Sequence, residues 1–284
     1  MAVDIGKLER FVALALAEDV GEGDHTSLST IAEDAIGEAQ LLVKEAGILA
    51  GVEVAKDILH IIDSSLLVDI KLFDGNAVQV GDIALYVKGK LHSILKAERL
   101  ILNVMQRMSG IATRTAEYAS LLVGTNTKVL DTRKTTPLLR FLEKEAVRIG
   151  GGENHRFGLY DMILIKDNHV DYAGGIKPAL ERAQAYREEH QLNIPIEIEV
   201  RNLAELAEVL TLAKVDRVML DNFTPALVKE AVTMNAGRLV TEASGGITLE
   251  TIVAYAQAGV DFVSVGALTH SVKSLDLSLK AKLI

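Results

Sequence analysis

The sequence predicts an α/β protein whose second half forms a barrel, complete or incomplete, of parallel strands. From about residue 129 onward, short apolar runs alternate with amphipathic helical stretches, and such repetition produces parallel strands joined by right-handed crossovers. About six such units favour a barrel over an open sheet. The composition agrees, because a chain with 4% aromatic residues and no Trp must build its core from Leu, Ile, Val and Ala, as buried parallel strands do. The predicted strands are residues 128–130, 162–165, 194–200, 217–220, 238–241 and 262–265.

The N-terminal part of the chain has a different pattern. Apolar side chains at helical spacing predict a helix over residues 5–18, and the Gly- and Asp-rich stretch 19–24 ends it. Residues 40–90 are predicted to form short strands and turns, with 40–44 and 84–87 extended. A long helix is predicted over residues 93–119, with Leu95, Leu102, Met105 and Met108 as core positions.

Composition and charge exclude several classes of protein. The chain has 284 residues and no cysteine, which excludes disulfides, thiolate metal sites and a cysteine nucleophile and is consistent with the reducing cytoplasm. A charged N-terminus argues against a signal peptide, and no run of about 20 apolar residues suggests a membrane span. A net charge of −9 argues against a general nucleic-acid binder. We therefore expect a cytoplasmic protein without membrane or nucleic-acid partners.

Polar residues or glycines follow every predicted strand. A single charged residue after a strand is most often part of a solvated loop, but in an α/β barrel the carboxyl ends of the strands form the active site. Six consecutive strand ends of this kind fit that rule. The residues concerned are Asp131, Arg133 and Lys134; Lys166, Asp167, Asn168 and His169; Glu197 and Glu199; Asp221 and Asn222; Glu242, Ser244, Gly245 and Gly246; and Gly266 and Ala267.

Two carboxylates lie within one predicted strand. Glu197 and Glu199 are two residues apart and therefore face the same side of that strand. A buried carboxylate costs several kcal/mol unless it is paired or bound to a ligand or metal. We favour a functional role for Glu199, which is nearer the strand end, and leave open how Glu197 is satisfied.

The glycine-rich loops predict anion binding. Ser244-Gly245-Gly246 and Gly266-Ala267 come one strand apart near the end of the chain, where barrels commonly bind phosphate through backbone amides. A third loop, residues 150–156, is either a flexible connector or a means of delivering His155 and Arg156 to the site. In the second case, five basic groups converge and require a ligand with several negative charges. They are Arg133, Lys134, His155, Arg156 and Lys166.

Ten motifs, in order along nearly the whole chain, resemble those of the quinolinate phosphoribosyltransferases, also called carboxylating nicotinate-nucleotide pyrophosphorylases. The motifs are EDVGEGD at 18–24, ER at 98–99, SGIAT at 109–113, DTRKTTP at 131–137, EK at 143–144, GGGENHR at 150–156, KDNH at 166–169, MLDN at 219–222, SGGI at 244–247 and GALTHS at 266–271.

The resemblance implies a fold and a reaction. It implies an N-terminal α/β sandwich over residues 1–112, against which residues 273–284 pack back, and an incomplete α/β barrel over residues 113–272. The implied reaction is the transfer of a phosphoribosyl group from 5-phosphoribosyl 1-pyrophosphate to quinolinate with Mg2+ as cofactor. Its products are nicotinate mononucleotide, pyrophosphate and CO2, which places the enzyme in NAD biosynthesis.

The same resemblance implies roles for individual residues. Arg133, His155 and Arg156 would hold the quinolinate carboxylates, joined by Arg99 from the partner subunit of a homodimer or higher even oligomer. Lys134 and Lys166 would lie near the reacting centre, with Thr132 beside the basic pair. Glu199 and Asp221 would face the ribose and Mg2+. The residues implied at the 5′-phosphate are Ser244, Gly245, Gly246, Val265, Gly266 and Ala267.

One position departs from the family pattern. Leu138 stands where the family usually has glycine after Thr-Thr-Pro. Glycine permits a positive φ or close backbone approach. We therefore expect a locally different loop that leaves the charged residues unaffected.

Three alternatives stay open at this point. A paralogue of the same fold could act on another acceptor, such as nicotinate, or serve molybdenum-associated metabolism; it would need fewer cations for an acceptor with one carboxylate. A Schiff-base lyase could use Lys166 as its nucleophile, although the neighbouring Asp167 and Asn168 do not suggest the apolar pocket that a nucleophilic lysine needs. A non-catalytic phosphate-binding protein would leave the carboxylates opposite the basic cluster unexplained.

Overall fold

The computed structural model describes residues 3–282. Within this range no helix is both long and apolar enough to cross a membrane. The elements of the first half are α1 (Ile5–Asp19), α2 (His25–Thr30), β1 (Ile36–Val43), β2 (Gly47–Ile48), α3 (Val52–Ile62), β3 (Leu67–Ile70), β4 (Ala77–Val78), β5 (Ile83–Lys90) and α4 (Leu91–Leu121). Those that follow are β6 (Lys128–Leu130), α5 (Arg140–Ile149), β7 (Ile163–Ile165), α6 (Asp167–Ala173), α7 (Ile176–Glu189), β8 (Ile196–Val200), α8 (Leu203–Leu212), β9 (Arg217–Asp221), α9 (Pro225–Asn235), β10 (Val240–Ser244), α10 (Ile252–Gln257), β11 (Phe262–Ser264), α11 (Ala267–His270) and β12 (Leu277–Lys282).

The chain forms two compact units. The first comprises the chain up to Ala116, the segment Thr135–Gly151 and the chain from Leu268 onward. The second comprises Glu117–Lys134 and Gly152–Ala267. The domain limits expected from the sequence, near residues 112 and 272, stay predictions.

The first unit is built on an antiparallel four-stranded sheet with the order β12-β1-β5-β3. Strand β12 pairs with β1 from Glu38↔Lys282 to Val43↔Leu277. Along β1, Leu41 and Val43 are fully buried, because alternate residues of a strand face the same side and that side carries the core. A second, two-stranded sheet joins β2 to β4. The C-terminal strand is thus an integral part of this unit.

Helix α3 corrects the prediction of strands and turns throughout residues 40–90. It begins after Gly51, which has a φ of 89°, and the carboxylate of Asp74 accepts a hydrogen bond from the backbone N–H of Val52 at 2.8 Å. Its fully buried residues Ala55, Ile58 and Leu59 recur at helical spacing. The prediction was wrong here because the turn-forming glycines of the segment outweighed the helical spacing of these apolar residues.

The long helix predicted over residues 93–119 is confirmed as α4. Leu102, Met105 and Met108 are buried, as expected. Leu95 is not a core residue, since it is 38% exposed, and Ile94 is buried in its place. Each helical residue is rotated by about 100° from the next, so a shift of one position moves a side chain off the buried face.

A buried ion pair attaches the segment Thr135–Gly151 to α4. The guanidinium of Arg107 lies 3.0 Å from the Glu143 carboxylate, whose side chain is 1% exposed. That carboxylate also accepts a hydrogen bond from the backbone N–H of Thr136 at 3.1 Å. Gly150 lies so close to the backbone of Ala112 that a Cβ would overlap its carbonyl oxygen. The family motif around Glu143 therefore has a structural role in this unit.

Leu138 keeps the backbone conformation that favours glycine. Its φ is 67° and its side chain is 79% exposed. The expectation of a locally different loop stays a prediction. A non-glycine side chain in the left-handed region costs about 1 kcal/mol.

The second unit is built on a parallel six-stranded sheet with the order β6-β11-β10-β9-β8-β7. Successive strands are neighbours, as strand–helix repetition requires, and the edge strands β6 and β7 are not paired with each other within the described part of the chain. One parallel bridge joins Leu130 of β6 to Glu153. The predicted incomplete barrel of parallel strands is confirmed. Strand β10 extends to Ser244, so Glu242 lies inside it and not, as predicted, in the loop that follows.

Replacing Gly110 with alanine should lower the free energy of unfolding by about 1–3 kcal/mol, the usual cost of overpacking. A Cβ there would overlap the backbone carbonyl of Lys273, which cannot move aside like a side chain. Gly6→Ala is the matched control, because Gly6 is also helical and its Cβ would meet only the Asp4 carboxylate at 3.5 Å. We expect the control to be neutral or to gain up to about 1 kcal/mol. Urea unfolding measures both, and equal stabilities would contradict the packing of the C-terminal segment on α4.

Candidate active site

Two carboxylates and a lysine meet at the carboxyl ends of β7, β8 and β9. The Nζ of Lys166 lies 3.7 Å from the carboxylate of Glu199, with the lysine side chain 50% exposed and the glutamate side chain 9% exposed. Asp221 ends β9, and the side-chain amide of Asn222 donates to it at 2.6 Å. Parallel strands bring these residues together because all their carboxyl ends lie at one edge.

The carboxylates resist ionisation in this setting. Burial, followed by the charge of Asp221, raises the pKa of Glu199, and Lys166 opposes that rise. Burial also raises the pKa of Asp221, while the charges of Lys166 and Lys134 lower it. Two adjacent carboxylates with raised pKa values would be stabilised by a cation, whether a metal ion or positive charge on a substrate.

Two arginines beside this region, Arg133 and Arg156, repel each other electrostatically. Burial lowers the pKa of Arg156, and the charge of Arg133 lowers it further. The Arg156 guanidinium also donates to the backbone carbonyl of Met162 at 3.2 Å. Because like charges repel, the pair favours a ligand with negative charge, and arginine forks suit planar carboxylates.

Asp131 orients the glycine-rich loop that carries Arg156. It is fully buried and accepts hydrogen bonds from the Asn154 amide at 2.6 Å and from the backbone N–H of His155 at 2.9 Å. Thr132 also shapes the backbone, since its hydroxyl accepts from the N–H of Lys134 at 3.1 Å. The side chain of Lys134 is exposed.

His155 is buried and has protein partners at both ring nitrogens. Its Nε2 lies 3.0 Å from Glu197 and 3.4 Å from Glu242, while its Nδ1 accepts from the backbone N–H of Arg156 at 2.7 Å. Glu242 also contacts the guanidinium of Arg217 at 3.1 Å. Burial opposes protonation of His155, but the two carboxylates outweigh it and raise its pKa to about 9. Burial and the charge of Glu242 raise the pKa of Glu197.

The sequence-based interpretation missed Glu242 and Arg217 as members of this cluster. A signal was present, because Glu242 is two residues before Ser244 and so shares its face of the strand. Among the described residues, His155, Glu197 and Glu242 also form a group whose ligand atoms lie within 4.8 Å of one another, as a metal site would require. Arg217 already supplies positive charge at this point.

The loops after β10 and β11 lie at the same edge of the sheet. Gly245 has a φ of 100°, and a Cβ there would overlap the side chain of Asn222. The backbone N–H of Asn222 donates to the carbonyl of Ser244 at 2.8 Å. The N–H of Val265 donates to the carbonyl of Leu130 at 3.0 Å, which joins the end of β11 to β6. Gly246 is exposed in the loop after β10, and Gly266 and Ala267 are partly exposed after β11.

Some residues of the family motifs belong to the first unit. Arg99 is exposed on α4 in that unit. Ser109 and Thr113, from another family motif, hold that unit together by accepting hydrogen bonds from Ala50 and Ile48 at 2.9 and 2.8 Å. Lys166 is half exposed beside Glu199, which is not the apolar pocket that a Schiff-base nucleophile needs.

Comparisons with known proteins agree with the motifs. The family described as quinolinate phosphoribosyl transferase matches through its N-terminal domain at residues 24–109 and its C-terminal domain at residues 111–280. The chain is 46% identical to decarboxylating quinolinate phosphoribosyltransferase 1b of Nicotiana tabacum, over 96% of this chain and 82% of that protein. It is 42% identical to a probable carboxylating nicotinate-nucleotide pyrophosphorylase of Bacillus subtilis, over 98% and 94%.

Solved structures agree as well. NadC from Streptococcus pyogenes superposes with a TM-score of 0.93 at 38% identity, covering 100% of both chains. The nicotinate-nucleotide pyrophosphorylase of Francisella tularensis superposes with a TM-score of 0.91 at 41% identity, covering 99% of this chain and 98% of that one. With both domains matched in order and relatives alike over nearly their full length, this chain belongs to the quinolinate phosphoribosyltransferase family.

Proposed function

We propose that this enzyme transfers the phosphoribosyl group of 5-phosphoribosyl 1-pyrophosphate to quinolinate and releases CO2 and pyrophosphate, giving nicotinate mononucleotide. One observation of the site carries the proposal. The mutually repelling Arg133 and Arg156 come from the segments at the end of β6, and the carboxylates Glu199 and Asp221 from the ends of β8 and β9. A dianionic acceptor suits the first group, and a ribose that becomes positively charged suits the second.

The acceptor is a flat ring with two carboxylates. Arg133 and Arg156 can each present two parallel N–H donors to a carboxylate, and their mutual repulsion is relieved when the acceptor binds. Asp131 fixes the loop of Arg156 by two hydrogen bonds. The loop that carries Arg156 is therefore held in place before the substrate arrives.

Phosphoribosyl transfer needs no general base, because the pyridine nitrogen already has a free electron pair. A bond forms from this nitrogen to C1 of the ribose as the bond from C1 to pyrophosphate breaks, and pyrophosphate leaves with that electron pair. Positive charge develops on the ribose, and the carboxylates of Glu199 and Asp221 stabilise it.

Decarboxylation breaks the bond between C2 of the ring and its carboxylate. The bonding electrons stay on the ring, which is then protonated at C2, and CO2 leaves. The ring nitrogen is positively charged once it carries the ribose, and Lys134 and Lys166 add positive charge nearby. Both effects lower the barrier to this step.

We propose Mg2+ as the cofactor, held by Glu199 and Asp221 directly or through substrate and water. The fit rests on two oxygen donors whose pKa values burial raises, since a cation beside them would offset the cost of their negative charge. When bound, Mg2+ would neutralise charge on the pyrophosphate group. For the 5′-phosphate we propose the backbone of Ser244, Gly245 and Gly246 together with Val265, Gly266 and Ala267.

The family resemblance supports two further proposals. The exposed Arg99 would reach the acceptor from the partner subunit, in a homodimer or higher even oligomer. A cytoplasmic location is supported by the absence of cysteine, although some plant relatives are named as mitochondrial or chloroplastic.

Arg133→Ala should lower kcat/KM for quinolinate by about 10²- to 10³-fold, the usual effect of losing one partner of a desolvated charged pair. The control is Arg148→Ala, which removes an exposed arginine paired with Glu145 and should keep full activity. The assay follows pyrophosphate and CO2 with quinolinate, phosphoribosyl pyrophosphate and Mg2+, and circular dichroism checks the fold. No product from folded wild-type protein would overturn the proposed function, and full activity in the variant would overturn the role of Arg133.

Glu199→Gln and Asp221→Asn should each lower kcat by about 10²-fold, as removal of one stabilising group does in other enzymes. Calorimetry should show quinolinate binding unchanged, because these carboxylates face the ribose and not the acceptor. Half-maximal activity should require more Mg2+ than in the wild type. Glu53→Gln is the control, since Glu53 pairs with the exposed Lys56 on α3, in the first unit. Unchanged kcat in both variants would contradict the assignment.

A further inference from the structure

Four charged or titratable side chains meet inside the barrel sheet, behind the acceptor-binding arginines. Glu197 on β8 and Glu242 on β10 are both 0% exposed, and Arg217 on β9 lies between their strands. His155, from the glycine-rich loop, places its Nε2 3.0 Å from Glu197 and 3.4 Å from Glu242. The reaction described above makes no use of the two carboxylates.

Burying this cluster costs free energy, which indicates that the cluster has a function. Two buried carboxylates without partners would cost several kcal/mol. Arg217 compensates for one of them, at 3.1 Å from Glu242, and the imidazole of His155 faces both. Any rotation of the ring that moved Nε2 away would leave a buried carboxylate with less compensation. The two glutamates therefore hold the ring in one orientation.

The opposite side of the ring is tied to the acceptor site. With Nε2 toward the carboxylates, Nδ1 accepts the backbone N–H of Arg156 at 2.7 Å. The Arg156 guanidinium then reaches the carbonyl of Met162 and lies beside Arg133. A continuous path of contacts thus runs from Glu242 through His155 to the Arg156 backbone.

We propose that Glu242, together with Glu197, is a positioning residue for acceptor binding that acts through His155 on Arg156. The inference rests on the proposed function for the identity of the acceptor. It also gives His155 a different role from the direct carboxylate contact that the family resemblance implied. Residues behind a binding group that fix its orientation commonly change affinity or activity by about 10- to 100-fold when replaced.

A bound metal ion is the competing explanation for this cluster, since His155, Glu197 and Glu242 have suitable ligand atoms. Arg217 argues against it. Its guanidinium contacts the same oxygen of Glu242 that lies nearest to His155, and a divalent cation would have to share that oxygen with a positive charge.

Glu242→Gln, which keeps the shape and removes the charge, tests the proposal. The KM for quinolinate should rise by at least about tenfold, while the KM for phosphoribosyl pyrophosphate stays within about twofold. Asp261→Asn is the control. Its carboxylate binds Thr241 of the same strand, at 2.8 and 2.7 Å, but at the opposite end from the site. It should lose stability and keep both KM values. Glu197→Gln serves as a second variant if Glu242→Gln does not fold.

Nitrogen-15 NMR of labelled histidine provides a readout that does not depend on activity. Above pH 9, where His155 loses its second proton, Nδ1 of the wild type should be the unprotonated nitrogen, because it accepts the backbone N–H of Arg156, and Nε2 the protonated one. Under the same conditions Glu242→Gln should produce a mixture of tautomers. An unchanged quinolinate KM with an unchanged His155 spectrum would overturn the positioning role. Stoichiometric zinc or another metal in the purified protein, lost in Glu242→Gln, would overturn it in favour of a metal site. An inactive wild type with the expected His155 spectrum would overturn the proposed function and leave the ring contacts intact.

Discussion

The repulsion between the guanidinium groups of Arg133 and Arg156 is the constraint on which the site depends. Two positive charges that repel each other, one of them partly buried, are unfavourable until an anion binds near them. Holding both groups in place therefore lowers the stability of the free protein, and binding of an anionic substrate offsets the repulsion between them. This explains why buried polar residues hold the loop of Arg156, and why an acidic protein places several cations near its strand ends.

Parallel strands make this arrangement possible. All six strand ends of the second unit lie at one edge, so that loops distant in sequence supply cations, carboxylates and glycine backbone to a common region. Beneath that edge, the cluster of His155, Glu197, Arg217 and Glu242 replaces apolar packing with buried charge. Such clusters add little to stability compared with an apolar core. Their value here lies in orientation, because a buried charge tolerates few alternative positions of its partner.

Much of this was predictable from the sequence, and the exceptions have physical causes. The strands and their charged ends follow from hydrophobic periodicity, which also predicted α1 and α4. Helix α3 was missed although its buried residues recur at helical spacing, because the turn-forming glycines on both sides favoured strands for the whole segment. Glu242 was assigned to a loop because a charge usually marks a strand end, and only tertiary contacts with His155 and Arg217 explain a charge inside one. Leu138 has a positive φ that its residue type disfavours, so its conformation follows from the surrounding chain.

The central proposal is an active site built for an acceptor with two carboxylates. Calorimetric titration of the wild-type enzyme with quinolinate and with nicotinate, which lacks one carboxylate, tests that claim directly. Hydrogen bonds between charged groups are worth about 1.5–3 kcal/mol each, so we predict that quinolinate binds at least about 10- to 100-fold more tightly. Equal affinity for the two acids, or tighter binding of nicotinate, would contradict the account and favour a paralogue that acts on a monocarboxylate.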